Sequence, residues 1–215
     1  MFIQMPNRSY KLNERARSQA ETRQRIVEAA VQLHEELGPR ATTVSAIADR
    51  AGVQRLTVYR HFPDDAAIFQ ACTSHWNERN PAPDRALWLE ESDPLARARI
   101  AIGAFAAYYR RTRGMWTVAY RDGPSIEALK EPLRQYAHYI DECAGDIAEA
   151  FGADGAAHAR IYETARMVLR FPVFDGLAGD GLDDEGVVDL AMAWLQGAAA
   201  GAAHRKALDL SSAPG

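Results

Sequence analysis

The sequence predicts an all-α protein of about nine helices, arranged as an N-terminal three-helix helix-turn-helix domain and a larger helical bundle behind it. Three observations carry this. Apolar residues recur at helical spacing along most of the 215 residues. No run of alternating β-branched residues is long enough to make a strand. Residues 42–62 spell two short helices joined by a turn at Gly52.

The expected helices are 18–37, 43–50, 54–60, 64–79, 93–111, 114–121, 124–151, 155–175 and 184–206. Gly38-Pro39 ends the first, because glycine leaves helical geometry easily and proline cannot continue it. Thr43 is placed to cap the second: its hydroxyl can accept from a free backbone N–H, while Val44, Ile47 and the small Ala48 fall on one side. Gly52 lets the chain turn through the left-handed conformation. In the next helix Val53, Leu56, Val58 and Phe62 are expected to supply apolar contacts. Asp64 and Asp65 begin the fourth helix, where acids suit the helix dipole. Asn80-Pro81-Ala82-Pro83 breaks the chain, and Ser92 or Asp93 before Pro94 starts the fifth. Gly123-Pro124-Ser125 separates the sixth from the seventh, and Pro132 predicts a kink or a late start. Gly176 to Gly181 reads as a flexible, exposed link. These boundaries divide the chain into a basic arm 1–17, a domain 18–80 and a domain 81–215, with the break inside 80–92.

The polar residues left over in 43–61 are chemically suited to DNA. Gln54 and Arg55 stand at the start of the second short helix, where Arg can be bidentate to guanine and Gln to adenine in the major groove. Thr57, Tyr59, Arg60 and His61 follow, with Thr43 and Ser45 on the preceding helix, and their donors suit phosphate oxygens, which position a protein without specifying sequence. The alternative is two small helices whose polar residues are simply solvated.

The stretch from about Thr22 to Phe69 resembles the DNA-binding domain of the tetracycline-repressor (TetR) family of transcriptional regulators. The residues that carry the resemblance are Arg25-Ile26-Val27-Glu28-Ala29-Ala30, Gly38, Thr43-Val44, Ile47-Ala48, Ala51-Gly52-Val53 and Thr57-Val58-Tyr59-Arg60-His61-Phe62. After His-Phe that family usually has a phosphate-touching lysine near the start of the fourth helix. Here the corresponding stretch is Pro63-Asp64-Asp65, so the backbone contact is expected to be absent.

Charge is segregated along the chain. Residues 1–62 hold ten Lys or Arg against six Asp or Glu, whereas residues 63–215 hold fifteen against twenty-three, so a chain of net charge −4 carries its cations where phosphate would be met. Arg8, Lys11, Arg15 and Arg17 form a basic lead-in that is either a DNA arm or a solvated, disordered tail. Cys72 and Cys143 lack metal-site or disulfide spacing, which points to a reducing cytoplasm. No secretory signal is visible at Met1-Phe2-Ile3, and the apolar stretch Val187 to Ala203 is interrupted by Asp189 and Gln196 and too weak for a membrane span. The six histidines form no metal-ligand pair at i, i+4, and there is neither a phosphate loop nor a nucleophile turn, so no metal, cofactor or enzymatic activity is expected.

The second domain carries many of the aromatics, and Ile102, Phe105, Ala106 and Tyr109 make one helical stripe. Core filling explains such a stripe, but Tyr and Trp carry polar handles that need partners when buried. The family resemblance implies a small-molecule pocket here, for which the candidates are Phe105, Tyr109, Trp116, Tyr120, Tyr136, Tyr139, Met167, Arg170 and Phe171. Arg170 would pair with a ligand carboxylate or with an internal acid such as Glu163. The last two helices are expected to form a homodimer, with Ala191, Trp194, Leu195, Ala198 and Ala202 on one face and Gly197 and Gly201 allowing close approach, unless those small residues serve a crossing within one protomer. The expected function is a homodimeric repressor on a palindromic operator in double-stranded DNA, released by a small, largely apolar or aromatic effector. The alternative is an all-helical small-molecule-binding or protein-interaction module that has lost specific DNA binding.

Overall fold

The computed structural model describes the backbone of residues 8–211 and the side chains of residues 12–200. Side chains of Arg8, Lys11, Gly201 and Ala202 therefore lie outside the described residues. Among the described residues there are ten α-helices and two short 3₁₀ turns. They are α1 (Arg8–Leu37), α2 (Val44–Ala51), α3 (Arg55–His61), α4 (Asp65–Arg79), α5 (Ala86–Leu89), α6 (Pro94–Asp122), α7 (Glu127–Ala150), α8 (Gly155–Val168), α9 (Phe171–Gly179) and α10 (Asp184–Ser211). The chain forms two compact units, Met1–Asn80 with Thr117–Glu131 and Pro81–Trp116 with Pro132–Gly215.

The N-terminal unit is built on one face of α1. Ile26, Val27, Ala29, Ala30 and Leu33 pack against Ile47, Ala48 and Ala51 of α2, Val58 of α3, Phe62, and Ile68 and Cys72 of α4. Each fully buried large side chain in this set contributes about 1.5–3 kcal/mol. His34 joins the core at 4% exposure. Its ring stacks on Phe69 with centroids 4.9 Å apart, and its Nδ1 lies 3.3 Å from Cys72 Sγ. Burial lowers the His34 pKa to about 4 and raises the Cys72 thiol to about 12, so both groups are neutral at pH 7.

The tip of α6 belongs to this unit. Asp122, 4% exposed, accepts from Arg121 Nε at 2.7 Å and from the Arg40 backbone N–H at 3.2 Å. Arg121 Nη2 also donates to the Leu37 carbonyl at 3.0 Å, one of the orphan acceptors at the end of α1. Gly38 makes this approach possible: its φ of +88° and ψ of 154° are open essentially to glycine alone, and a Cβ there would stand 2.0 Å from Arg121 Nη2.

In the C-terminal unit α10 packs on α8 and α9. A charged clamp fixes the chain leading into α6: Arg85 donates to Asp146 through Nε at 2.7 Å and Nη2 at 2.5 Å, and to Glu142 at 3.1 Å. Trp88, fully buried, donates its Nε1–H to the same Asp146 carboxylate at 3.1 Å. Those bonds compensate the burial of Asp146, which is 6% exposed.

Several boundaries differ from expectation. Residues 8–17 are helical and form the first turns of α1. Helices expected at 93–111 and 114–121 are one, α6, because a lone Gly114 costs about 1 kcal/mol, less than the packing of a long helix returns. The helix expected over 155–175 breaks at Leu169 and Arg170, where Pro172 opens α9 at a first-turn position. Gly176 to Gly179 is helical, not a link, and α5 was unforeseen. Pro132 lies inside α7, which starts at Glu127. On α10, Ala191 and Leu195 are 2% and 0% exposed, buried within the protomer, so they do not share an outer face with Trp194.

Two stability tests follow from these contacts. Gly38→Ala is expected to destabilise the protein by about 1–3 kcal/mol in urea denaturation, because the new side chain meets a disallowed backbone conformation and the Arg121 guanidinium. His34 is neutral in the folded state well below the pH at which the unfolded chain protonates it near 6.5. Its contribution is therefore intact above about pH 6.5 and lost as pH falls toward 4, about 2 kcal/mol between pH 7 and pH 5. Replacing His34 by Gln should flatten that part of the stability profile.

Candidate nucleic-acid interface

The reading unit is α2, the glycine turn and α3, and each part has a local cause. Thr43 is extended and its Oγ1 accepts from the Ala46 N–H at 3.2 Å, starting α2. Gly52 adopts φ 66° and ψ 41°, the left-handed conformation, and the turn is closed by Gly52 N–H to Asp49 O at 3.2 Å and Val53 N–H to Ala48 O at 2.9 Å. Gln54 is the extended residue before α3. Val58 and Phe62, 0% and 1% exposed, fasten α3 to the core.

With those two anchored, the opposite side of α3 faces outward. Gln54, Arg55, Tyr59 and Arg60 are exposed, and Thr57 and His61 are half-buried. Leu56 is 58% exposed, which corrects its expected place among the apolar contacts. Helical geometry explains this: residues 55, 56, 59 and 60 share one face, and three of them are polar. An exposed leucine there can meet a thymine methyl.

Arg55 is held rather than loose. Its Nη2 donates to the Tyr59 hydroxyl at 3.1 Å, and its guanidinium lies 5.5 Å from the centre of the Tyr59 ring. The Tyr59 hydroxyl, and more weakly the Asp65 carboxylate, raise the Arg55 pKa further and keep it charged. Arg55 and Tyr59 share a groove of about 490 Å³ with Thr43, Ser45 and Asp65, floored by Ile47 and Ile68. Asp64 is occupied as a cap, accepting from the Ala67 N–H at 2.8 Å. Arg50 is bidentate to Glu36, both bonds at 2.8 Å, so its charge is compensated inside the unit.

His61 sits elsewhere. It lines a second groove, about 370 Å³, with Arg23, Gln24 and His75, where the Arg23 guanidinium covers the Phe62 ring at 4.7 Å.

Of the candidate pocket residues, Phe105, Tyr109, Trp116, Tyr136, Tyr139 and Phe171 form one aromatic cluster in the C-terminal unit. Ring centres of Trp116 and Tyr136 are 4.3 Å apart, and those of Tyr109 and Phe171 are 5.4 Å apart. Tyr136 donates to the Tyr109 hydroxyl at 2.8 Å, Tyr109 donates to the Leu169 carbonyl at 2.9 Å, and Tyr139 donates to the Pro83 carbonyl. Met167 is 43% exposed and Arg170 is exposed just before α9, so neither enters the cluster. Tyr120 falls in the other unit.

Residues 26–72 match the family described as bacterial regulatory proteins, tetR family. A nucleoid occlusion factor, SlmA, of Vibrio cholerae is 29% identical over 121 residues, which are 56% of this chain and 61% of that protein. The SlmA of Vibrio vulnificus is 26% identical over the same shares. The match thus spans less than two thirds of these relatives. Among solved structures, a TetR-like transcriptional regulator from Rhodococcus superposes with a TM-score of 0.56 at 19% identity, covering 81% of this chain and 93% of that one. The fatty acid degradation regulator FadR of Bacillus halodurans gives 0.57 at 19% identity, covering 80% and 93%. The fold is that of the TetR-like regulators.

The match runs from the core face of α1 to Cys72 in α4, and so includes every residue that anchors α3. If α3 reads DNA, Arg55→Ala is expected to weaken binding to a selected duplex by about 1–3 kcal/mol, with little change on random duplex. Tyr59→Phe should weaken both by a similar factor, since it removes a phosphate donor. Anisotropy titrations on the two duplexes measure the difference.

Proposed function

We propose that the chain is a cytoplasmic, homodimeric transcriptional repressor that binds a palindromic operator and is released by a small, largely apolar or aromatic ligand. The observation that supports this reading best is the outward face of α3, where Gln54, Arg55, Leu56, Tyr59 and Arg60 are presented together on a helix locked by Val58 and Phe62. One such helix reaches few base pairs, so a two-fold pair of reading units is the economical way to read a long site.

The surface offered for the pairing is on α8 and α10. Met167 is 43% and Trp194 37% exposed, beside the exposed Ala193 and Gly197 on α10. Large apolar side chains flanked by small ones suit a helix pair from a second copy. The ligand would act through α6 and α7, since each contributes residues to both units. It shifts DNA affinity only to the extent that it binds one arrangement of the protein better than the other. Among the described residues, no helix is long and apolar enough to cross a membrane.

Asp64 and Asp65 favour a second reading, an all-helical binding module without DNA affinity, and salt dependence separates the two. A regulator that neutralises several phosphates loses affinity steeply between 50 and 200 mM salt, by about 10³-fold for six contacts. Duplexes enriched from a random pool should therefore bind the protein far better than unselected DNA at moderate salt. Trp194→Glu should yield a monomer in sedimentation equilibrium and lose the selected site. Failure to enrich any duplex would leave the module as the reading.

A further inference from the structure

We infer that Asp65 is a specificity-determining residue of the reading face, one that steers Arg55 away from phosphates and toward base edges. The inference rests on the DNA-binding reading above and concerns a residue that it does not assign.

The argument begins with placement. Asp65 is the first residue of α4 and is exposed, and its position is fixed by the Asp64 cap immediately before it. It lines the same groove as Thr43, Ser45, Arg55 and Tyr59. Four of these five residues offer donors to an anion. Asp65 offers only negative charge.

That combination treats the two possible partners of Arg55 differently. A DNA phosphate entering the groove would be drawn by the guanidinium and the hydroxyls but would stand beside the Asp65 carboxylate, and like charges repel. A guanine edge is neutral and meets no such opposition. Arg55 has five N–H donors, so two can address guanine while another keeps the Tyr59 hydroxyl, with Asp65 remaining as a counter-charge in the same groove. The attraction between Asp65 and Arg55 is therefore compatible with base reading and competes with phosphate binding. On random DNA, where no base partner is in place, the groove holding both charges contributes little net attraction for the backbone.

Asp65→Asn removes the charge and keeps the size and the helix start. Affinity for random duplex should rise while affinity for the selected duplex changes little, lowering the ratio between them by about fivefold at low salt. The salt slope on random DNA should steepen as Arg55 gains a phosphate partner. Because the effect acts through Arg55, Asp65→Asn introduced into Arg55→Ala should leave the ratio where Arg55→Ala alone put it. The inference is overturned if Asp65→Asn leaves the ratio unchanged, or if it lowers the ratio equally in both backgrounds, which would mark a general repulsion independent of Arg55. Circular dichroism melting checks that each variant is folded, and Asp65→Ser repeats the test with a second neutral residue. If the unmodified protein shows no preference for any enriched duplex, the DNA-binding reading fails and the question about Asp65 does not arise.

Discussion

The buried Asp122 carboxylate is the contact that fixes where the N-terminal unit begins to read. A carboxylate at 4% exposure is unfavourable unless its lone pairs are used, and here they are used by Arg121 and by the backbone of Arg40. Arg121 in turn satisfies the carbonyl of Leu37, so the end of α1, the 3₁₀ turn Pro39–Ala41 and the end of α6 are tied at one point. The chain leaves this point directly into Thr43 and α2. α2, and α3 behind it, are then held by the apolar core on α1. Removing Asp122 would leave Arg121 and the Arg40 N–H without their acceptor. α6 begins at Pro94, in the other unit, and ends at this contact.

Local charge, not total charge, decides how the reading face meets DNA. Screening at physiological salt limits exposed charges to about 8 Å, so only the acids close to α3 bear on it. Arg50 is paired with Glu36, Arg55 shares its groove with Asp65, and Arg60 is exposed. On the DNA-binding reading, sequence preference would come from base contacts by Gln54, Arg55 and Leu56, over the phosphate contacts that position them. That is the opposite of a strongly basic patch, where affinity is high for any sequence.

Features governed by the backbone of a few neighbouring residues were legible in the sequence. The Thr43 cap and the left-handed Gly52 each depend on a few neighbouring residues, and each stands where the residues imply. Features governed by partners far along the chain were not. Leu56 looks like a core residue in a seven-residue helix, and only the burial of Val58 and Phe62 decides which side is outward. Gly114 looks like a helix boundary, but α6 runs through it and is held on its outer side by Arg110 and Arg113 pairing with Asp184 and Asp175. Tyr120 shares the aromatic character of the candidate pocket, yet it lies beyond the point where α6 passes into the N-terminal unit.

The aromatic cluster shows why tyrosine in a helical core is an ambiguous signal. Tyr109 gives its hydroxyl proton to Leu169 O, the carbonyl at the end of α8, where the helix no longer supplies a partner. Tyr136 then donates to Tyr109, so two tyrosines cap a helix from the side while their rings fill the interior. Leucine could fill that volume but could not satisfy Leu169. The polar handle thus has a structural use with no ligand present. It would also constrain any ligand that entered here, because parting Tyr136 from Tyr109 removes a part-buried hydrogen bond whose loss costs about 1 kcal/mol unless replaced. A purely apolar guest must overcome that cost, whereas a guest with an acceptor beside an apolar body restores the bond.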